Sequence, residues 1–197
     1  MILYGASGHA KVIMDILLKN KVNITAIIDD NKNLKEIFGF KVDQEENVEI
    51  NQNVIISIGN NKTRELITDR LKNINYGIAI HPKAIIDETS FINKGTVIMA
   101  NAIINSSVKI GKHCIINTNA VIEHECIIND FSHISPSATL CGNVFIGKGT
   151  HIGAGAIINP NIKIGKWCVI GAGAVVIKDI PDNVTVVGNP ARVIKQN

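Results

Sequence analysis

In the stretch Ile122-Glu-His-Glu-Cys126, His124 stands between two carboxylates. A carboxylate beside an imidazole can hold the tautomer that leaves the other ring nitrogen free, and it raises that nitrogen's basicity. Those are the requirements of a general base near neutral pH. A histidine between glutamates also reads as a solvated turn, so a second feature is needed. Gly142 lies eighteen residues on. Placed beside the base, a glycine lets a ligand approach the backbone and leaves an N–H free to stabilise an oxyanion.

A second set of polar residues falls at the ends of short apolar runs. Gly5-Ala-Ser-Gly-His9 follows the first run, Asp29 and Asp30 the second, and Gly59, Asn60 and Asn61 the third. Gly5 and Gly8 permit a tight turn whose N–H groups face an anion at a helix N-terminus, which suits a phosphate around Ser7, Gly8 and His9. An aspartate ending the second strand suits a ribose or a base edge. The spacing is Gly-x-x-Gly rather than Gly-x-Gly-x-x-Gly, so a mononucleotide fits better than a dinucleotide. Each cluster alone is also ordinary turn and loop composition.

The remaining histidines sort by position. His81 precedes Pro82 as a linker residue and His113 lies in a turn. His133 and His151 are eighteen apart and should stack, either filling a polar groove or lining one for a ligand. With His124 they lack the converging three-histidine spacing of a solenoid zinc site, so no metal is expected.

The elements that carry these residues are of two kinds. Residues 2–4, 24–28 and 54–58 read as strands, 10–19 and 62–72 as helices, and 76–80 as a connection into the second half. On the first helix Val12, Ile13, Ile16 and Leu17 should share one face. This alternation predicts a small parallel α/β sheet of about four strands, whose ligands sit at the strands' carboxyl ends. From Ile80 to Val176 every sixth residue is aliphatic, and the residue two before it is almost always small. A period of six is neither 3.6 nor 2, so the chain must turn a corner after every short strand. The prediction is a three-faced solenoid of eighteen residues per coil, with the aliphatics at the corners. Five to six coils give a prism about 25 Å tall. Counting in eighteens brings Gly142 beside His124. The domains are expected at 1–79 and 80–197.

Composition narrows the function classes. A net charge of +3 with no basic tract and 4% aromatic residues argue against nucleic acid as a partner. No apolar run approaches a membrane span, so no membrane partner is expected. Three of the four cysteines, Cys114, Cys126 and Cys168, fill the small inward position, which suits reduced thiols in a cytoplasmic protein. It also turns Cys126 away from any role as nucleophile.

The hexapeptide solenoid, the N-terminal Gly-Ala-Ser-Gly-His turn and Asn117-Thr-Asn-Ala-Val-Ile-Glu-His-Glu125 together resemble the NeuD/PglD-type sugar acyltransferases over the whole chain. The resemblance implies a Rossmann-like N-terminal domain followed by a left-handed parallel β-helix, with active sites between the solenoids of a homotrimer. It implies acetyl transfer from acetyl-CoA, with His124 as base and Glu125 making it more basic. Ser7, Gly8, His9, Asp29, Asp30 and Gly59 would hold a nucleotide sugar, joined in the substrate set by Asn60 and Asn117. His133 would meet the cofactor, Ala154 and Ala172 its pantetheine arm, and Arg192 a CoA phosphate.

The expected reaction is N-acetylation of a nucleotide-linked 4-amino-4,6-dideoxy sugar by direct attack, the Gly142 N–H receiving the developing charge. O-acetylation of a sialic acid is the rival within the family, and a non-catalytic nucleotide-binding solenoid the rival outside it.

Overall fold

The computed structural model describes residues 1–197. It opens with β1 (Ile2–Tyr4), α1 (Gly8–Lys19) and β2 (Ala26–Ile28), followed by the hairpin β3 (Glu36–Ile37) and β4 (Phe40–Lys41). β5 (Val54–Ile56) and α2 (Asn61–Arg70) complete the first unit. β1 lies between β2 and β5, parallel to both. Every residue of β1 and β5 is buried, as expected when helices cover both faces of a parallel sheet and leave no solvent side for alternation. Ile13 and Leu17 of α1 pack with Leu3, Ile27 and Ile55. On the opposite face Ile67 of α2 packs with Ile2, Tyr4 and Ile56.

The sheet has three strands rather than four. The 76–80 segment contributes only a parallel bridge from Tyr76 to Val54, because Gly77 onward is drawn onto the solenoid. The second and third strands are shorter than their apolar runs. At β5 the chain leaves the sheet where Ser57 folds back to donate its hydroxyl to the Gly5 carbonyl at 2.5 Å. Val12 is 41% exposed while Met14 is fully buried; the helix turns the 10, 13, 14 and 17 positions inward and Val12 off that stripe. The β3–β4 hairpin has no Asn-Gly or Asp-Gly signal. It turns on Phe38 and Gly39, both with positive φ.

From Ala79–Ile80 to Val175–Val176 a two-residue strand recurs every six residues. The strands form three parallel sheets of six, six and five strands, here the first, second and third faces. The first begins at Ala79–Ile80, the second at Ile85–Ile86 and the third at Phe91–Ile92. Residues eighteen apart are in register: Ile98, Ile116, Ile134, Ile152 and Ile170 form one ladder. The first face ends in Val184–Val187 with Arg192–Gln196 antiparallel beside it. The aliphatic series is fully buried from Ile98 to Val176, but it does not lie at the corners. Each aliphatic is the inward residue of its strand. A two-residue strand has one inward and one outward position, so the corner falls two to three residues later.

The corners explain the rest of the repeat. Every sixth residue from Gly95 to Gly173 has positive φ, a region that Gly and Asn enter at least cost. Asn, Ser and Gly occupy most of these positions; His113, Glu125, Phe131 and Trp167 do not. Three of those four line the edge between the third and first faces, where α2 docks. The fourth lies beside His124. The N-terminal unit sits on the first face, where Val97, Met99 and Ile115 pack into the α1 cluster. No helix is long and apolar enough to cross a membrane.

Candidate active site

His124 and Glu125 occupy the turn between the second and third faces, after Val121–Ile122 and before Ile127–Ile128. His124 Nδ1 lies 3.2 Å from Glu125 Oε2, and the two side chains are 57% and 66% exposed. Glu125 has φ 62°; this left-handed corner turns its carboxylate back along the preceding imidazole. With Nδ1–H donated to Glu125, Nε2 keeps its lone pair. One coil on, Asn143 N donates to the His124 carbonyl at 2.9 Å, which stacks the two turns. A Cβ on Gly142 would stand 2.5 Å from both Cε1 and Nε2 of His124, so the imidazole lies against the bare backbone of Gly142. The Gly142 N–H donates to no protein group. Cys126 is buried below, donating to the Cys141 carbonyl, and burial pushes its thiol up to about 11.

Gly142→Ala should therefore displace the imidazole without unfolding the coil. The expected loss in kcat/KM is about 30-fold, the scale of a sub-ångström to ångström misplacement. Steady-state kinetics alongside a thermal melt check it: an unchanged rate at unchanged melting temperature would show that the contact does not matter.

The N-terminal clusters meet at the carboxyl ends of β1, β2 and β5. Ser7 is the N-cap of α1, yet its hydroxyl makes no cap hydrogen bond and the first turn carries no acidic residue. Gly5 has φ 110°, and a Cβ there would lie 2.6 Å from Ile58 Cγ1. Cβ atoms on Gly8 and Gly59 would meet nothing within 4 Å, so both border open space. The Asp29 carboxylate is already engaged, accepting from Ala6 N at 2.7 Å and Asn31 N at 2.8 Å. It ties the end of β2 to the phosphate-type turn. The Tyr4 hydroxyl lies 2.7 Å from Asp30 Oδ1 and 2.6 Å from Glu45 Oε2, its one proton shared between them, and both carboxylates pair with Arg70. Tyr4, Asp30 and Arg70 line a cleft of about 350 Å³ with Gly5 and Ile58.

A second cleft, of about 460 Å³, lies where the N-terminus of α2 faces the first face of the solenoid, between residues 59–62, His133, His151 and Trp167. Asn60 caps α2, its side chain accepting from Thr63 N. The His133 and His151 rings stack with centroids 4.8 Å apart. Asn117 Nδ2 lies 3.0 Å from His133 Nε2, and Ser135 Oγ 2.7 Å from His151 Nε2. Asn117 thus orients His133, whose buried Nδ1 has no partner. No group of three or more His, Cys, Asp or Glu side chains is placed to hold a metal ion.

Burial holds these histidines neutral. It lowers His9 and His113 to about 4, aided by the Arg64 charge. His133 is lowered to about 3 by burial, then by His151 and Arg64; His151 is also lowered. Unfolded, the same rings titrate near 6.5 and take up protons first as pH falls. Stability is full above pH about 6.5 and is withdrawn toward pH 4, by at most about 1.4 kcal/mol per pH unit for each of His9, His113 and His133. Thermal melts should show a plateau near neutrality and a steep fall across that window. A midpoint independent of pH between these limits would contradict it.

Ala154 and Ala172 are exposed on a third edge, between the first and second faces, and stack through Gly173 N to the Ala154 carbonyl at 2.8 Å. Arg192 is exposed on the terminal hairpin and donates to the Ala191 carbonyl. The chain therefore brings Asn117 and His133 together with residues 59–62, and His124 together with Gly142. It leaves His124 and Gly142 on the edge between the second and third faces, away from the first-face cleft and from the edge between the first and second faces, where Asn117 and the alanine pair lie.

The family model described as the PglD N-terminal domain matches residues 1–71, and that of the bacterial transferase hexapeptide (six repeats) matches 89–124 and 143–178. The acetyltransferase domain of PglB from Neisseria gonorrhoeae is 33% identical over 98% of both chains, with a TM-score of 0.92. The chain belongs to the NeuD/PglD-type sugar acetyltransferases. WeeI from Acinetobacter baumannii is 30% identical over 98% of each chain at a TM-score of 0.92. Perosamine N-acetyltransferase from Caulobacter crescentus, as a mutant in complex with CoA and GDP-perosamine, is 29% identical. It has a TM-score of 0.93 over 98% of this chain and 96% of that one. Curated proteins give no significant sequence match.

The sequence pattern did not single out Arg64, Tyr4, Arg70 or Trp167, and it marked Asn61 only as part of the polar turn after the third strand. Arg64 is 1% exposed, but nothing in a polar helix marks one arginine as buried. Trp167 did leave a signal, being a bulky residue at a corner position otherwise held by Gly, Asn or Ser.

Proposed function

We propose that the chain, as a cytoplasmic homotrimer, transfers acetyl from acetyl-CoA to the amino group of a nucleotide-linked 4-amino-4,6-dideoxy sugar. The observation that carries the reading is His124, paired with Glu125 and lying on Gly142, whose N–H is unpartnered. The likeness to the Caulobacter enzyme, with CoA and GDP-perosamine, supports the substrate class. His124 Nε2 takes a proton from the sugar amine as its nitrogen forms a bond to the thioester carbonyl carbon. The carbonyl oxygen gains the negative charge and the Gly142 N–H donates to it. Collapse of the tetrahedral adduct breaks the C–S bond, and the proton on His124 passes to the departing thiolate. Ser7, Gly8 and Gly59, at the ends of the first and third strands, are the proposed diphosphate contacts, and Asp30, which lines the 350 Å³ cleft, is the proposed nucleoside contact. His133, Ala154, Ala172 and Arg192 are the proposed cofactor contacts.

The trimer is supported by the outward ladder of the second face, Ile85, Ile103, Val121, Thr139, Ile157 and Val175, which is aliphatic but for Thr139. Ile85 and Ile157 remain exposed and nothing in the chain covers this aliphatic strip, the signature of a surface that buries itself against another copy. Assembly would also bring the His124 edge of one copy to the nucleotide cleft of the next. Incubation with acetyl-CoA and a panel of UDP-, dTDP- and GDP-linked 4-amino sugars, with sialic acid as a further acceptor, read as thiol release, tests the activity. Release with an amino sugar is the expected result. Release with sialic acid alone, or none at all, would overturn it.

A further inference from the structure

At the edge between the third and first faces, the corner carbonyls of three successive coils, His113, Phe131 and Gly149, accept no backbone N–H. Elsewhere such carbonyls can turn to water, but α2 covers these. Arg64 Nε donates to the His113 carbonyl at 2.8 Å and Nη2 to that of Phe131 at 2.9 Å. The same guanidinium reaches back into the N-terminal domain, Nη1 donating to the carbonyls of Ile58 at 3.0 Å and Gly59 at 3.2 Å. Nη2 also donates to Asn61 Oδ1, and Asn61 Nδ2 continues the row to the Gly149 carbonyl at 3.1 Å. Arg64 has no carboxylate partner; every acceptor is a neutral oxygen. Its planar fork therefore acts through geometry, spanning two domains in a way a single ammonium cannot.

The residues so joined belong to opposite halves of the proposed reaction. Gly59 is a proposed contact of the nucleotide sugar at one wall of the cleft under α2, while Phe131 and Gly149 each stand two residues before the stacked His133 and His151 that form the other wall. We propose that Arg64, assisted by Asn61, is a positioning residue for acetyl transfer: it sets the distance between the nucleotide-holding loop and the histidine face that meets the cofactor. The inference rests on the proposed acetyltransferase reading. It adds a residue that touches neither substrate.

Arg64→Met, Arg64→Lys and Asn61→Ala test it, compared with the wild type after each trimer has been verified by light scattering and its folded fraction by thermal melt. For the Arg64 variants, kcat per folded site should fall about 30-fold and KM for the nucleotide sugar rise several-fold, with KM for acetyl-CoA within about twofold. Lysine keeps the charge and should not restore the rate. A lowered melting temperature with unchanged kcat and KM would reduce Arg64 to a structural tie, and full rescue by lysine would show that charge suffices; either overturns the proposal. If the Arg64 variants do not fold, Asn61→Ala decides by the same split. Amide exchange at residues 57–61 and binding of UDP or GDP are read in parallel. Faster exchange with weaker binding in the variants supports the clamp even if the wild type acetylates no amino sugar, in which case only the proposed activity fails. Unchanged exchange and binding overturn the clamp itself.

Discussion

His124→Ala should lower kcat/KM about 10³-fold, the middle of the range for loss of a positioned general base. The substitution removes an exposed side chain from a corner whose backbone bond, Asn143 N to the His124 carbonyl, does not depend on it. Melting temperature and assembly should therefore stay at wild-type values, and the loss should appear in kcat rather than in KM for acetyl-CoA. Glu125→Gln keeps the shape of the pair and removes the charge, so a smaller loss of about tenfold is expected. A His124→Ala rate within a few-fold of wild type, measured on intact trimer, would remove the histidine from the mechanism and leave approximation of the substrates as the source of rate.

Mixing two inactive variants should restore activity. Within one chain, His124 lies on the edge between the second and third faces, whereas His133 and Gly59 border a cleft on the first face. If the site forms between copies, His124→Ala supplies an intact cleft and His133→Ala supplies an intact base. Random co-assembly then leaves about a quarter of the interfaces with both halves unaltered. Co-refolded mixtures should recover about that fraction of wild-type turnover, while each variant alone stays near background. A mixture no more active than its components would place the whole site within one chain. Val121→Asp, which sets a charge in the aliphatic strip of the second face, should abolish both the trimer and the turnover, since a buried unpaired carboxylate opposes association. Sedimentation paired with the thiol assay would show whether the two losses coincide.

The pairings that the repeat dictates were legible before any coordinates. Parallel strands in register leave no freedom: once each coil is eighteen residues, Gly142 must lie beside His124, His151 beside His133, and Ala172 beside Ala154. The glycine turn after β1 was legible for a similar reason, because the positive φ at Gly5 is a local demand of the backbone. The corners were misplaced because a period states how often the chain turns and not which residue turns it. That assignment emerged from the row of positive φ values at Gly95, Asn101 and their successors.

What the sequence determined alone is thus local and periodic: a small α/β unit followed by a solenoid, three faces, His124 beside its carboxylate, and the glycine stacked against it. The tertiary structure decided what depends on contacts between segments with no fixed separation. It gave the Asp29 carboxylate to the backbone of Ala6 and Asn31, buried Arg64 against the carbonyls of His113 and Phe131, and put His124 on a different edge from the cleft it is proposed to serve. The first follows from the pairing of β1 with β2, the other two from how α1 and α2 dock on the prism. Docking is set by the summed burial of Val97, Met99 and Ile115 under α1 and by the corner carbonyls under α2, a sum over distant residues that no single motif encodes.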